Sequence, residues 1–153
     1  MIDFILPSSY EARIDRQRLC DVADLAISMA TEEENSAFSL RLTNNQGIRS
    51  FNRDYRGIDQ ATDVLSFPLG YDDPETGAFY LGDIIISLQM AQKQASQSNA
   101  TLQAELEMLM VHGILHLCGY DHDTEENYAV MSTLQDDILK KIQNPLTGSI
   151  HAQ

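Results

Sequence analysis

The 153-residue sequence predicts one α+β domain, spanning residues 1–153, in which a sheet packs against several helices. Apolar runs typical of strands lie before residue 88, and the longest helical patterns follow it. From Met108 onward one helical segment is apolar nearly all round, which is typical of a helix buried in a core. At 43% apolar residues, a chain of this length can bury a core of that kind.

Four segments have strand patterns. Phe38, Leu40 and Leu42 alternate with polar residues, which indicates a strand with one buried face. A nearly continuous apolar run over 82–87 is typical of a strand inside a sheet. The predicted strands are residues 2–6, 38–43, 62–67 and 82–87, with Pro68 ending the third and a polar turn over 71–77 after it.

Five segments have apolar residues at helical spacing. Gly57 is a stop signal for the second helix, and Asp123 or Thr124 can cap the fifth, with Glu126 placed for a capping box after Asp123. The predicted helices are residues 15–30, 46–56, about 88 to near Asn99, 101–118, and a last helix with Met131, Leu134, Ile138 and Ile142 on its inner face. Residues 144–153 are predicted to form a flexible tail, so His151 is not counted as a ligand.

Three histidines lie within the eleven residues HGILHLCGYDH at positions 112–122. His112 and His116 are one helical turn apart and project from the same face. Gly119 can end the helix in a left-handed turn and return the chain toward the same point, where His122 can join them. Three imidazoles around one ion leave a fourth position open, which predicts a catalytic zinc site, although nickel or copper accept the same ligands.

The spacing HxxxHxxGxxH equals that of the metzincin proteases, with one departure. Gly113 stands where those enzymes have the glutamate that acts as general base, and this disfavours peptide hydrolysis. A glycine here can admit a substrate to the helix, or it can allow close packing against another element.

Charge is unevenly distributed along the chain. The net charge of −13 argues against a general nucleic-acid coat protein, since phosphates are bound mainly through lysine and arginine. Arg49, Arg53 and Arg56 nevertheless form a basic stripe on the second helix, with Arg41 on a nearby strand. Such arginines bind phosphate oxygens in two-point contacts, or they pair with carboxylates near a helix end, and the sequence leaves both interpretations open.

Cysteine usage and hydropathy predict a cytoplasmic protein. Cys20 and Cys118 form no CxxC motif, which favours a reducing compartment, and Cys118 is expected to point away from the metal as a small core residue. No apolar run reaches the length of a membrane span, and no signal peptide is expected because the N-terminus lacks a basic segment and a cleavage motif.

The segments NRDYRG (52–57), TDVLSFP (62–68), LGDI (81–84) and HGILHLCGYDH (112–122) together closely resemble the YbeY family of bacterial rRNA-maturation endoribonucleases. The resemblance implies a zincin-like α+β fold, with a small mixed β-sheet packed against several helices and the metal-binding helix in the core. It implies one Zn²⁺ ion on His112, His116 and His122, and a functionally important arginine at Arg56.

The activity that this resemblance implies is metal-dependent, single-strand endoribonuclease action in 16S rRNA 3′-end processing, ribosome maturation and quality control. The expected partners are rRNA and the small ribosomal subunit or its assembly factors, with neither DNA nor a membrane involved. Arg49 and Arg53 are weaker candidates for substrate binding. A non-catalytic, zinc-containing ribosome-assembly factor and a metalloprotease-like zinc hydrolase are the alternatives.

The sequence leaves the attacking group open. Water can attack the phosphodiester with metal assistance, or the RNA's own 2′-OH can attack it. Asp63, Asp83 and Asp121 are candidate general bases because they lie near the motifs, and each also has a structural interpretation as a cap, a turn residue or an ion-pair partner.

Overall fold

The computed structural model describes residues 2–143, so the predicted tail and His151 lie outside the described residues. The strands are β1 (Ile2–Ile5), β2 (Ser36–Thr43), β3 (Val64–Asp72) and β4 (Phe79–Ser87). The helices are α1 (Arg16–Ala30), α2 (Asn45–Arg56), α3 (Leu88–Gln97), α4 (Leu102–Leu117) and α5 (Glu125–Gln143), with a 3-10 helix over Ser8–Arg13.

The four strands form one mixed sheet in the order β1-β2-β4-β3. β1, β2 and β4 run parallel, and β3 pairs antiparallel to β4 as an edge strand. The predicted α+β class and the mixed sheet are confirmed. No helix in the described range is long and apolar enough to cross a membrane.

Two apolar clusters lie on opposite faces of the sheet. Because side chains alternate along a strand, Ile84 and Ile86 of β4 enter the main core with α1, α4 and α5, while Ile85 faces the other way. Ile85 joins Leu65 of β3 and Ile48 of α2 in the smaller cluster. Helix α4 is buried along most of its length, as its apolar pattern predicted.

The predicted end of the third strand at Pro68 is wrong. β3 continues through Pro68 to Asp72, so the first two residues of the predicted 71–77 turn belong to the strand. A sheet edge tolerates proline because a missing backbone donor there breaks no ladder, and the register between Pro68 and Tyr71 is irregular. β4 likewise begins earlier than predicted, at Phe79, because it pairs with the extended β3.

The cap of the last helix is Thr124. Its Oγ1 accepts a hydrogen bond from the backbone N–H of Asn127 at 3.1 Å, while Asp123 accepts from the Asn127 side chain at 2.8 Å. Glu126 is then the second helical residue, so the predicted capping box after Asp123 is wrong.

Candidate metal centre

Helix α4 places two of the three histidines. The helix is capped by Thr101, and four-residue spacing directs His112 and His116 to one side, with their Nε2 atoms 3.1 Å apart. Two nitrogens bound to one tetrahedral zinc at usual bond lengths lie about 3.3 Å apart. The helical pair is therefore already spaced as two ligands of one ion.

The chain after α4 turns back and brings in the third histidine. Gly119 has φ 97°, a conformation that favours glycine, and the Tyr120 N–H donates to the Leu115 carbonyl at 3.0 Å. The following Asp121 carboxylate accepts from the His122 N–H at 2.7 Å. One ligand atom from each of His112, His116 and His122 lies within 4.8 Å of the others, so the group could hold a metal ion.

The chemistry of this donor set fits a metal. Burial lowers the pKa of His116 below its ordinary value, and His112 and His122 lower it further. His116 is therefore neutral at neutral pH, which is the form that ligates a metal.

Gln135 of α5 orients the first histidine. Its Oε1 lies 2.9 Å from His112 Nδ1, and because a carbonyl oxygen only accepts, Nδ1 carries the proton. The Nε2 atom that faces His116 is then the unprotonated one. Sequence reasoning missed Gln135, although a polar residue between Met131 and Ile138 on the inner face of α5 was an available signal.

An open cavity of about 580 Å³ surrounds the three imidazoles. One wall comes from β3 and the residue before it, another from the loop after α4, and a third from the end of α2. The lining residues are Arg56, Asp63, Val64, Leu65, Ser66, Pro68, His112, His116, Gly119, Tyr120, Asp121 and His122.

The structure separates the three arginines of α2. Arg49 makes a two-point contact with Asp59 at 2.7 and 3.2 Å, and Arg53 contacts Asp54 at 3.0 Å. Neither lines the cavity. Arg56 does line it, and within residues 2–143 no ion pair engages its guanidinium.

The three candidate aspartates are also separated. Asp63 lines the cavity and accepts from the Val64 N–H at 2.8 Å and from Gln94 Nε2 at 3.3 Å. Asp121 lines it as well. Asp83 lies on the other face of the sheet, where it accepts a hydrogen bond from the Tyr80 hydroxyl. Burial raises the pKa of Tyr80 to about 12, and the hydrogen bond to Asp83 contributes to this rise.

Gly113 packs against the sheet. A Cβ on this residue would lie 2.9–3.2 Å from three side-chain atoms of Ile84, so the position is filled by β4 and does not admit a substrate. A glutamate there would have to displace Ile84. The position therefore offers no room for the general base of a protease.

Cys118 is not among the cavity residues. It packs against the main core, and burial raises its pKa to about 11. The thiol is consequently neutral, in keeping with its predicted role as a small core residue.

Several known proteins are similar to this chain over most of its length. Residues 7–143 match the model of the family described as Endoribonuclease YbeY. A protein of that name from Sulfurihydrogenibium sp. is 44% identical over 136 residues, which cover 87% of each chain. Another from Clostridioides difficile is 37% identical over 129 residues, covering 82% of this chain and 84% of the relative. The solution structure of TM1509 from Thermotoga maritima is 26% identical with a TM-score of 0.60, covering 100% of this chain and 99% of that one.

Proposed function

The chain belongs to the YbeY family of endoribonucleases, and from this premise we propose that it cleaves single-stranded RNA by metal-assisted phosphodiester hydrolysis in the histidine-lined cavity. The observation that carries the proposal is the meeting, in one open cavity, of three imidazoles and an arginine that forms no ion pair with any residue of the described range 2–143. An RNA strand can reach that cavity from solvent, and its phosphates need both positive charge and a Lewis acid for hydrolysis.

We assign the metal as one zinc ion held by His112, His116 and His122. Three neutral imidazoles suit zinc, and its tetrahedral preference leaves one position for water or a phosphoryl oxygen. When bound, the ion would polarise that oxygen or lower the pKa of water toward 7. The hydrogen bond from His112 to Gln135 supports this assignment, because metal-bound histidines commonly donate their other nitrogen to such a partner.

Arg56 is the proposed catalytic arginine. A guanidinium beside the metal can contact two oxygens of the reacting phosphate and stabilise the charge that grows in the transition state. Arg49 and Arg53 are proposed to have a weaker role at the edge of the substrate path. Each is already paired with a carboxylate at the surface, Arg49 with Asp59 and Arg53 with Asp54.

Two carboxylates remain as candidate general bases. Asp63 and Asp121 both line the cavity, whereas Asp83 lies on the opposite face of the sheet and is excluded as a general base. The nature of the product ends distinguishes the attacking group. A 5′-phosphate or 3′-phosphate without a cyclic precursor supports attack by water, and a 2′,3′-cyclic phosphate supports attack by the 2′-OH.

The proposed cellular role is 16S rRNA 3′-end processing, ribosome maturation and quality control in the cytoplasm. Its support is the family resemblance of the four motifs. The proposed partners are rRNA and the small ribosomal subunit or its assembly factors, and the acidic surface suits contacts with basic ribosomal proteins.

The test compares Arg56→Ala with Arg53→Ala on a fluorescently labelled single-stranded RNA. We expect Arg56→Ala to lower kcat by about 10²–10³-fold, as is usual for loss of one transition-state contact, while zinc content stays at wild-type level. Arg53→Ala, one helical turn away, should change kcat by less than about threefold.

Contaminating ribonuclease is controlled by purifying His116→Ala in the same way. That protein should show no cleavage. Equal activity in wild type and His116→Ala would mean that the cleavage is not due to this site, and equal activity in wild type and Arg56→Ala would remove the role of Arg56.

A further inference from the structure

Tyr55 presents its ring to solvent and directly precedes Arg56, which lines the proposed catalytic cavity. It is 72% exposed, more than any other large apolar or aromatic side chain described in residues 2–143. Most of the surface of this residue is therefore free to contact a ligand.

The Tyr55 ring is nevertheless held in place by contacts with two other aromatic rings. It stacks on Phe51, four residues earlier on α2, with ring centroids 6.2 Å apart and planes 17° apart. It also meets Phe67 of β3 at 5.7 Å in a tilted arrangement. Arg41 lies over the Phe51 ring at 5.5 Å and extends this aromatic row across the sheet. Two supporting rings leave Tyr55 with a fixed orientation and an open surface.

The aromatic row borders the cavity across the edge strand β3: Phe67 pairs with Asp83 and packs in the smaller cluster, on the face of the sheet opposite the histidines. Arg56 follows Tyr55 in sequence, and Ser66 and Pro68 flank Phe67, and all three of these neighbours line the histidine cavity. Because β3 is an edge strand, an RNA strand that passes over this edge with one phosphate at Arg56 can bring the base of an adjacent nucleotide to the Tyr55 ring.

We propose that Tyr55 is a substrate-positioning residue that stacks on a nucleobase next to the scissile phosphate. The inference rests on the proposed function. A protein of net charge −13 with two of its three α2 arginines paired gains little from phosphate attraction, so non-ionic contacts must supply much of its affinity for RNA. Aromatic stacking provides such a contact and tolerates any base.

This contact also selects single-stranded RNA. In a duplex both faces of a base are covered by its neighbours, so a tyrosine can stack only on a base that is unpaired or at an end. Tyr55 thereby favours cleavage of single-stranded over double-stranded RNA, because only an unstacked nucleotide can place its base on the ring while a neighbouring phosphate lies beside Arg56.

The test is a chemical double-mutant cycle with the zinc-loaded protein. The cleaved bond in a short single-stranded RNA is mapped first, and then each nucleotide flanking it is replaced in turn by an abasic one. We expect Tyr55→Leu to lower kcat/KM by about 5- to 150-fold on the intact RNA, the range for loss of one base–aromatic stack. At one flanking position the abasic RNA should abolish this difference between wild type and variant.

Two variants control for structure. Tyr55→Trp keeps a stacking surface and should retain at least wild-type kcat/KM. Tyr128→Leu removes an exposed tyrosine of α5 that does not line the cavity, and it should leave kcat/KM unchanged. Thermal melting of each variant shows whether the fold is intact.

The experiment distinguishes a failure of the stacking inference from a failure of the proposed function. If wild type cleaves RNA but Tyr55→Leu does so equally well, or loses the same factor on every abasic RNA, the stacking inference fails and the proposed function stands. If Tyr55→Leu loses activity and Tyr55→Trp does not restore it, the inference also fails. If wild type cleaves no RNA, both fail.

Discussion

The hydrogen bond between His112 and Gln135 orients one ligand of the proposed metal centre in the absence of an ion. A neutral imidazole carries one proton, and the carbonyl of Gln135 holds that proton on Nδ1. The Nε2 lone pair is then available on the side that faces His116. Without this partner the Nδ1–H tautomer loses the contact that favours it, so we expect part of the binding free energy to be lost.

Gln135→Leu is expected to raise the dissociation constant for zinc by about 10–100-fold, the usual effect of removing such a partner. Competition with a chromophoric zinc chelator measures the constant. Gln97→Leu, an exposed glutamine on α3, serves as the matched control and should bind zinc as tightly as wild type. Wild-type zinc affinity in Gln135→Leu would contradict the assigned role of this contact.

The β3–β4 hairpin is the element that builds one wall of the cavity. Leu65, Ser66 and Pro68 of β3 line it, and β4 fixes where β3 lies. Gly82 of β4 has φ 146°, and a Cβ there would lie 2.2 Å from the backbone oxygen of Phe67. Backbone cannot move aside as a flexible side chain can, so this glycine is required for the close pairing of the two strands.

Gly82→Ala is expected to lower the free energy of unfolding by more than about 3 kcal/mol, since overpacking adds to an unfavourable backbone conformation. Gly77→Ala, in the turn of the same hairpin, is the control. Gly77 also has a positive φ of 76°, but its Cβ would meet nothing within 4 Å, so only about 1–2 kcal/mol should be lost. Urea unfolding measures both variants, and equal losses would show that the clash with Phe67 is unimportant.

At the scale of the whole molecule, the metal centre and the core are built on the same helix. Helix α4 carries two of the proposed ligands and runs through the main core, α5 supplies Gln135, and the intervening loop carries His122. On its other side α4 is tied to α1 by Glu107, which is buried and accepts from Arg18 at 3.1 Å. Metal binding therefore bears on the packing of three helices and is expected to stabilise the fold.

Zinc at about 100 times its dissociation constant should add about 2.7 kcal/mol to the free energy of unfolding, which for a domain of this size is a rise in Tm of roughly 5–10 °C. His116→Ala should abolish this rise, and EDTA should reverse it in wild type. His116 must be neutral to bind, and its pKa in the folded protein is lowered by burial, so this group should allow the rise to persist below its ordinary pKa of 6.5. The rise should then be lost as pH falls through the lowered pKa, where protons compete with the ion at the folded site. Retention of one equivalent of zinc and of the full rise in His116→Ala would contradict the site.

Much of the fold and half of the site followed from local sequence. The four-residue spacing of His112 and His116, the glycine after their helix and the alternation in β2 depend on helical or strand periodicity alone, which neighbouring residues determine. The strand boundary at Pro68 failed for the same reason: whether a proline ends a strand depends on whether that strand is at the edge of the sheet, and strand order is a property of the whole chain.

The sequence by itself determined the periodic elements, the family and the residue types that can bind a metal, because these are read from short-range spacing. Only the tertiary structure decided which polar groups meet. Arg49, Arg53 and Arg56 look equivalent in sequence, yet Asp59 and Asp54 engage the first two and the fold directs the third to the histidines. Gln135 is 23 residues from His112, and its contact exists because α5 packs on α4. Such pairings join residues distant in the chain, and their distances are set by packing, which no local pattern encodes.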